Sequence, residues 1–398
     1  MLTIDKVYDA QKELAKVLRK TPLIHAPRFS IDANVFIKPE NLQVTGSFKV
    51  RGAYYKIAKL SETDKKRGVI ACSAGNHAQG VALGSQVNNI NAKIFVPSTA
   101  PISKVEATKR YGAEVVLVNG IYDDAYAAAR AEADQTGAVF VHPFDDEEII
   151  AGQGTIGLEI YQELSDADAV VVPIGGGGLA SGIGMAIKTL NPKCKVYGVQ
   201  AAGAPSMAES YHAKSIVSSQ TVRTFADGIA VKRPGELTFE MCSRYLDDIV
   251  TVTDDEIATA ILMLMEGQKL IAEGAGATGL AAIRFGKLPI KGKKVVCLVS
   301  GGNIDVTILS RVINRGLVTS GRSSELNLEL LDRPGELTRV SSIISSLGAN
   351  VVCVNHTRGN VNNDINACFL HITMETRDFE HFEKICSALR ESGYTVNL

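Results

Sequence analysis

AVVVPIGGGGLASGIGMAI, residues 169–187, reads as an apolar strand, four consecutive glycines and then a helix. An unbroken apolar run such as AVVVPI (169–174) suits a parallel-sheet strand covered on both faces. Four glycines remove every Cβ, so backbone N–H groups can converge on an anion at the start of the following helix. A strand feeding a helix through such a loop is one unit of an open α/β sheet, whose ligands gather at the carboxyl edge of the strands. The loop therefore reads as a phosphate cradle rather than a plain turn. A dinucleotide fingerprint also uses G-x-G, but the acid it needs about 20 residues on is missing from KCKVYGVQA (193–201). The Gly-Lys-Ser/Thr ending of an ATP-binding loop is missing too. A small phosphorylated cofactor fits better than NAD or ATP.

Outward from this unit the same alternation continues. GVIACS (68–73), AKIFVP (92–97), AEVVLVN (113–119) and AVFVHP (138–143) read as buried strands, with helices at 76–85 and 123–135 between them. AVVVPI, KVYGVQ (195–200) and KKVVCLVS (293–300) form a second set. Two sets predict two open, doubly wound parallel-sheet subdomains with a cleft between them. The smaller, at about 45–145, is expected as an insertion in the larger, within a catalytic domain at 1–315.

GLVTSGRSSE (316–325) is rich in Gly and Ser and predicts a linker at 316–324. Beyond it, ELNLELL is a strand, Asp332–Gly335 a turn, and Leu337, Val340, Ile343, Ile344 and Leu347 mark a helix. NVVCVNHT and INACFLHITME are strands around the polar turn GNVNND, Phe379 to Leu389 a second helix, and YTVNL a last strand. The order βαββαβ predicts a ferredoxin-like unit at 325–398. RPGELT occurs at 233–238 and again at 333–338. With flanks that differ, it reads as two turn-then-helix starts, not a duplication.

Composition bounds the function. The chain has 398 residues, 45% hydrophobic and 21% charged, which suits a globular protein of two or three domains. Lys plus Arg number 42 against 43 Asp plus Glu, a balance with no footprint for nucleic acid or an anionic membrane. No apolar stretch approaches the ~20 residues of a membrane span, and the N-terminal helix lacks a signal core. The seven cysteines form no C-x-x-C pair and read as reduced, buried thiols. A cytoplasmic protein is expected.

Two further motifs sit where strands meet helices. In Thr45–Ala53 a lysine, Lys49, opens a helix. Alone it reads as a solvated side chain, but beside a phosphate cradle it is the amine that would form a Schiff base with a phosphorylated aldehyde. Ser73-Ala74-Gly75-Asn76-His77 offers small donors at a helix start, suited to a carboxylate or phenolate, and also to ordinary N-capping. Ser300-Gly301-Gly302-Asn303 repeats the pattern at the same sheet edge.

SFKVRGA (47–53), SAGNH (73–77), GGGGL (175–179) and SGGN (300–303), in this order, resemble the fold-type II pyridoxal-phosphate enzymes of the tryptophan synthase β fold, and among them the threonine dehydratases (threonine ammonia-lyases). The likeness spans about residues 15–315, and the tail resembles an ACT regulatory domain. It implies that Lys49 holds pyridoxal 5'-phosphate and acts as the catalytic base, with Phe48 beside the ring. Asn76 would bond the ring hydroxyl oxygen, Ser300 would face the pyridine nitrogen, and Gly175, Gly176, Gly177, Gly178 and Leu179 would bind the phosphate. Ser73, Ala74, Gly75 and His77 would grip the substrate carboxylate, and Glu273 would line the pocket.

The implied reaction is β-elimination from L-threonine, with L-serine as second substrate, since one methyl group is worth only ~1–3 kcal/mol. A serine at the pyridine nitrogen makes the ring a weaker electron sink than an aspartate would, which suits elimination better than transamination. Serine racemase is similar, but it carries a serine where this chain has Ala74. Its metal carboxylates fall on Gln200, Ala204 and Ser206, so neither racemisation nor a divalent metal is implied. The ACT likeness implies a small effector at Leu331, Asp332, Arg333, Pro334, Gly335, Glu336 and Leu337, in a homodimer or homotetramer. A sensor with a decayed enzyme body would have no need of Lys49, Asn76, the glycine loop and Ser300 together.

Overall fold

The computed structural model describes residues 2–358 and 367–397. The turn GNVNND and the first two residues of INACFLHITME lie outside them. The chain divides into two units, Met1–Val306 and Thr307–Leu398.

The described strands of the first unit are β1 (Ile24–His25), β2 (Asn34–Pro39), β3 (Val69–Cys72), β4 (Ala92–Pro97), β5 (Glu114–Val118), β6 (Val139–Phe140), β7 (Ala169–Pro173), β8 (Lys195–Ala201), β9 (Asp248–Val252) and β10 (Lys294–Val299). They form a sheet of order β1-β2-β10-β7-β8-β9 and a smaller one of order β5-β4-β3-β6. Every pairing is parallel except β1 with β2. The chain leaves the larger sheet after β2, builds the smaller one, and returns at β7. Val170, Val171 and Val172 of β7 are fully buried, each worth about 1.5–3 kcal/mol for leaving water.

Two of the expected buried strands differ. β5 is an edge strand, half exposed because only one side has a neighbour. In AVFVHP only the half-buried pair Val139–Phe140 is a strand. The structure adds β2 and β9, whose apolar runs are interrupted by Lys38 and by Asp248 and Thr251.

Lys38 is buried because a network of charges receives it. Its Nζ lies 2.7 Å from Glu159 Oε2 and donates to Thr21 O at 2.7 Å. At the centre of this network is Arg51, with no exposed surface. Its guanidinium donates to both oxygens of Glu40 (2.8 and 2.8 Å), both of Glu159 (2.6 and 2.9 Å), and Thr155 Oγ1 (3.0 Å). Arg51 lies on helix Lys49–Ala58. Residues two apart on a helix differ by ~200° in direction, so Arg51 enters the core while Lys49 faces the other way.

In the second unit β11 (Ser323–Leu331), β12 (Asn350–Arg358), β13 (Ala367–Glu375) and β14 (Thr395–Asn397) form an antiparallel sheet of order β12-β13-β11-β14. With helices Glu336–Ser346 and Phe379–Glu391 the order is βαββαβ. Leu326, Leu328 and Leu330 alternate inward along β11 and meet Val340, Ile344, Ile385 and Leu389 of the helices.

The expected linker is corrected here. Helix Val306–Thr319 runs through 316–319 and β11 begins at Ser323, so regular structure occupies most of the segment. The contact boundary falls at 306/307 rather than near 315. An apolar stripe through Leu309, Val312, Ile313 and Leu317 outweighs the Gly and Ser content, and Val312 is buried. Both RPGELT copies open helices, at Glu236 and Glu336, but their glycines differ in backbone, φ −75° at Gly235 and +96° at Gly335.

All seven cysteines are free, and all but Cys353 are buried. Among the described residues no helix is long and apolar enough to cross a membrane.

Candidate active site

A cleft of about 900 Å³ opens at the carboxyl ends of β3, β7 and β10. Phe48, Lys49, Ser73, Ala74, Gly75, Asn76, His77, Gly175, Gly176, Gly177, Gly178, Leu179, Glu273 and Ser300 all line it. Five sequence-distant segments thus meet in one cavity, as residues at the strand ends of an open sheet must.

Lys49 opens its helix and its Nζ donates to Pro143 O at 2.7 Å. Burial pulls its pKa down to about 8, against the attraction of Glu273. The neutral amine that a nucleophile or base requires is therefore far better populated near neutral pH than in an ordinary lysine.

The carbonyls of the glycine loop are held by the protein. Gly175 O accepts from Gln200 Nε2 (3.4 Å), Gly176 O from Thr238 Oγ1 (2.6 Å), and Gly177 O from Ser181 N–H (2.9 Å). In a trans peptide the next N–H points opposite the carbonyl, so the N–H groups of Gly176, Gly177 and Gly178 face the cleft. Helix Gly178–Leu190 starts here without a side-chain cap, so its first-turn N–H groups have no intrahelical acceptor. Side chains are excluded by the packing. Gly177 has φ +99° and a Cβ there would come within 2.6 Å of Met207 Cε; one at Gly178 would lie 2.7 Å from Phe144 O. The donor set fits a phosphate group at one end of the cleft, with an amine for an aldehyde at Lys49.

The Ser73–His77 turn lacks the side-chain N-cap that its small polar residues also suited. Helix Asn76–Val87 has Gly75 at its N-cap and no side-chain cap; Ser73 Oγ instead accepts from Gly75 N–H at 3.2 Å. The first-turn N–H groups are thereby left for a ligand. His77 is buried with Nε2 2.9 Å from Val141 O, and burial lowers its pKa to about 3. Its neutral ring is tied to the backbone, so only its backbone N–H remains for an anion.

Asn76 Nδ2 donates to Glu273 Oε1 at 2.6 Å. Burial, with Asp227 adding repulsion, raises the Glu273 pKa to about 7, while the bond from Asn76 opposes the rise. An acid whose folded pKa exceeds its unfolded value, ordinarily 4.5, destabilises the fold only where the unfolded chain ionises first. The penalty is absent below about pH 4.5 and complete above 7, at about 3 kcal/mol. Glu273→Gln removes it. The cofactor-free variant is expected to melt higher than the parent above pH 7, with the gain shrinking toward pH 4.5; a gain equal at all pH values would contradict this.

Ser300 is buried, and its carbonyl accepts from Phe48 N–H at 3.0 Å. Gln200, Ala204 and Ser206 take structural roles or none at the cleft. Gln200 braces Gly175 and accepts from Ala208 N–H at 2.8 Å, and Ser206 Oγ donates to Val231 O at 2.7 Å.

Sequence reading missed His142, Phe144, Asp145 and Asn303, which also line the cleft. His142 Nδ1 accepts from the N–H groups of Phe144 (3.3 Å) and Asp145 (2.8 Å), and burial lowers its pKa to about 4. Asp145 Oδ1 accepts from Thr238 N–H at 3.0 Å, so this turn also braces the glycine loop. The available signal was HPFDD after AVFVHP, a turn at the same sheet edge. Asn303 stood inside a motif already singled out.

In the second unit Leu331–Gly335 and Leu337 are exposed. Glu336 N–H is bonded within the turn to Arg333 O (3.4 Å), so one helix-start donor expected for an effector is already used. Asp332, His356 and Cys368 bring ligand atoms within 4.8 Å of one another. Arg358 already holds both Asp332 oxygens, at 2.7 and 3.1 Å.

Residues 14–301 match the family described as "Pyridoxal-phosphate dependent enzyme". The chain is 49% identical to the L-threonine ammonia-lyase of Thermotoga maritima, over 100% of both chains. Among solved structures, threonine deaminase isoform 2 from Solanum lycopersicum superposes with TM-score 0.74 at 39% identity, covering 78% of this chain and 87% of that one. Maize serine racemase gives TM-score 0.75 at 33% identity over 80% and 98%. A glycine cradle and a buried, deprotonatable lysine facing one cleft are what the cofactor of that family requires, and with these matches the chain belongs to the pyridoxal-phosphate dependent enzymes.

Proposed function

We propose that this enzyme converts L-threonine to 2-oxobutanoate and ammonia, with L-serine as a secondary substrate. The observation that carries the reading is the Lys49 amine, buried with a pKa near 8, in the cleft onto which the glycine-loop N–H groups converge. Similarity from end to end, at 49% identity, with an L-threonine ammonia-lyase supports the choice of substrate.

Pyridoxal phosphate, when bound, supplies an electron sink for negative charge at the substrate Cα. The chain's own groups do the rest. Gly176–Gly178 and the helix they open hold the phosphate by backbone N–H groups. Lys49 would anchor the cofactor aldehyde, and its amine, when free, would remove the Cα proton of the substrate. The uncapped helix start would offer the N–H groups of Asn76 and His77 to the substrate carboxylate. Ser300, which lines the cleft, would meet the ring nitrogen with a hydroxyl rather than an acid. Loss of the Cα proton and the β-hydroxyl, as water, leaves an enamine that tautomerises and hydrolyses to the 2-oxo acid and ammonia. Racemisation needs a second proton donor on the opposite face; Ala74, where the similar racemase has a serine, has no group to supply it.

Assay of 2-oxo acid formation from L-threonine and L-serine tests the reading, with faster turnover of threonine expected. Turnover of serine alone would move the assignment to a serine dehydratase, and inversion of serine without oxo acid would favour the racemase.

The βαββαβ unit is proposed as an ACT-type regulatory domain, taking a small effector at the exposed turn 331–337 in a homo-oligomer. Full-length enzyme is expected to respond to L-isoleucine or to a nucleotide, and a chain ending near residue 320 to keep turnover and lose the response. A truncated chain that neither folds nor turns over would mark the unit as structural.

A further inference from the structure

Asn303 is bonded to two acceptors of different kinds. Its Nδ2 donates to Thr45 O at 2.8 Å and to Asn76 Oδ1 at 2.7 Å. A backbone carbonyl can only accept, so the Asn303 atom facing Thr45 O must be the amide nitrogen; an oxygen there would face the carbonyl oxygen. The Asn76 atom that receives the second hydrogen must then be its oxygen. It follows that Asn76 turns Nδ2 the other way, where one hydrogen goes to Glu273 Oε1 at 2.6 Å and the other remains for the cleft that Asn76 lines.

We infer that Asn303 is a positioning residue for the cofactor: through Thr45 it locks the Asn76 amide so that a donor, not an acceptor, is presented to the ring hydroxyl oxygen. The inference rests on the cofactor reading above. The lock is rigid. Gly302 N–H donates to Gly46 O at 2.9 Å, Phe48 N–H to Ser300 O at 3.0 Å, and Ser47 pairs with Gly301. A Cβ at Gly46, whose φ is +71°, would run into the Asn303 amide. The segments carrying Lys49 and Ser300 are thus stitched together at the place where Asn303 reaches Asn76. Without Asn303 the amide of Asn76 is free to reverse; its oxygen would then oppose an anionic ring oxygen.

The test uses the full chain and pyridoxal phosphate itself. Asn303→Asp keeps the shape and replaces the donor by a second acceptor, while Asn303→Ala removes the lock without adding charge. Equilibrium dialysis of pyridoxal phosphate is expected to show affinity falling about tenfold or more for Asn303→Asp and less for Asn303→Ala. A shift in the absorbance maximum of the bound chromophore should accompany the loss. In an Asn76→Ala background neither change should weaken binding further, because the two residues act as one. Wild-type affinity and spectrum in Asn303→Asp would overturn the inference, as would an equal loss with and without Asn76. Failure of the wild type to bind pyridoxal phosphate would instead overturn the cofactor reading, and this inference with it. Melting temperatures of the variants separate these outcomes from unfolding.

Discussion

Lys49→Ala is expected to lower 2-oxobutanoate formation from L-threonine by about a thousandfold or more, since one side chain serves as both cofactor anchor and base. No other described lysine lines the cleft with its amine so deeply buried: Lys104 is partly exposed and paired with Asp227, and Lys232 pairs with Asp123 at 3.1 Å. The loss should not come from unfolding. A lysine held at pKa about 8, below its ordinary 10.5, is one the folded state resists protonating. That penalty is complete below pH 8 and fades as pH rises to 10.5. At pH 7 the alanine variant should therefore melt no lower than wild type. A variant with substantial residual turnover, or one that unfolds at 25 °C, would sink the assignment of Lys49.

The second large effect is on stability. Arg51→Ala is expected to destabilise the fold by about 3–5 kcal/mol, read as a lower denaturant midpoint at unchanged slope. Burial alone would lower the Arg51 pKa, but Glu40 and Glu159 overcome it and the guanidinium stays charged. Glu40 has no exposed surface, so its carboxylate would be left buried without its partner. Arg51→Lys should recover only part of the loss, because one ammonium cannot reproduce a fork that spans two carboxylates. Since Arg51 roots the helix that begins at Lys49, cofactor affinity should fall as well. An unchanged midpoint in Arg51→Ala would show that the network contributes little.

Most of the fold was legible where the chain's local pattern and its environment agree. β7, with neighbours on both sides, reads as an apolar run, and the helices expected at 76–85 and 123–135 appear as Asn76–Val87 and Tyr122–Thr136. β2 was not legible. Its Lys38 makes sense only once Glu159 and Glu163, over a hundred residues away, are packed beside it. The linker misled for a related reason. Gly and Ser content argued for a break, while an apolar stripe that needs a packed partner made residues 306–319 helical.

The same division runs through the site. Glycines, turn residues and a lysine at strand ends act through backbone geometry within a few residues, so the sequence alone determined the cradle, the amine and the sheet edge they share. Side-chain partnerships depend on which strands become neighbours. Asn76 meets Glu273 and Asn303 across separations of 197 and 227 residues, and no local pattern encodes such a meeting. Tertiary structure alone decided that Asn76 presents a donor, that His77 is tied to the backbone, and that Glu273 is buried enough to titrate near neutrality, because each follows from what the folded chain places within hydrogen-bonding distance.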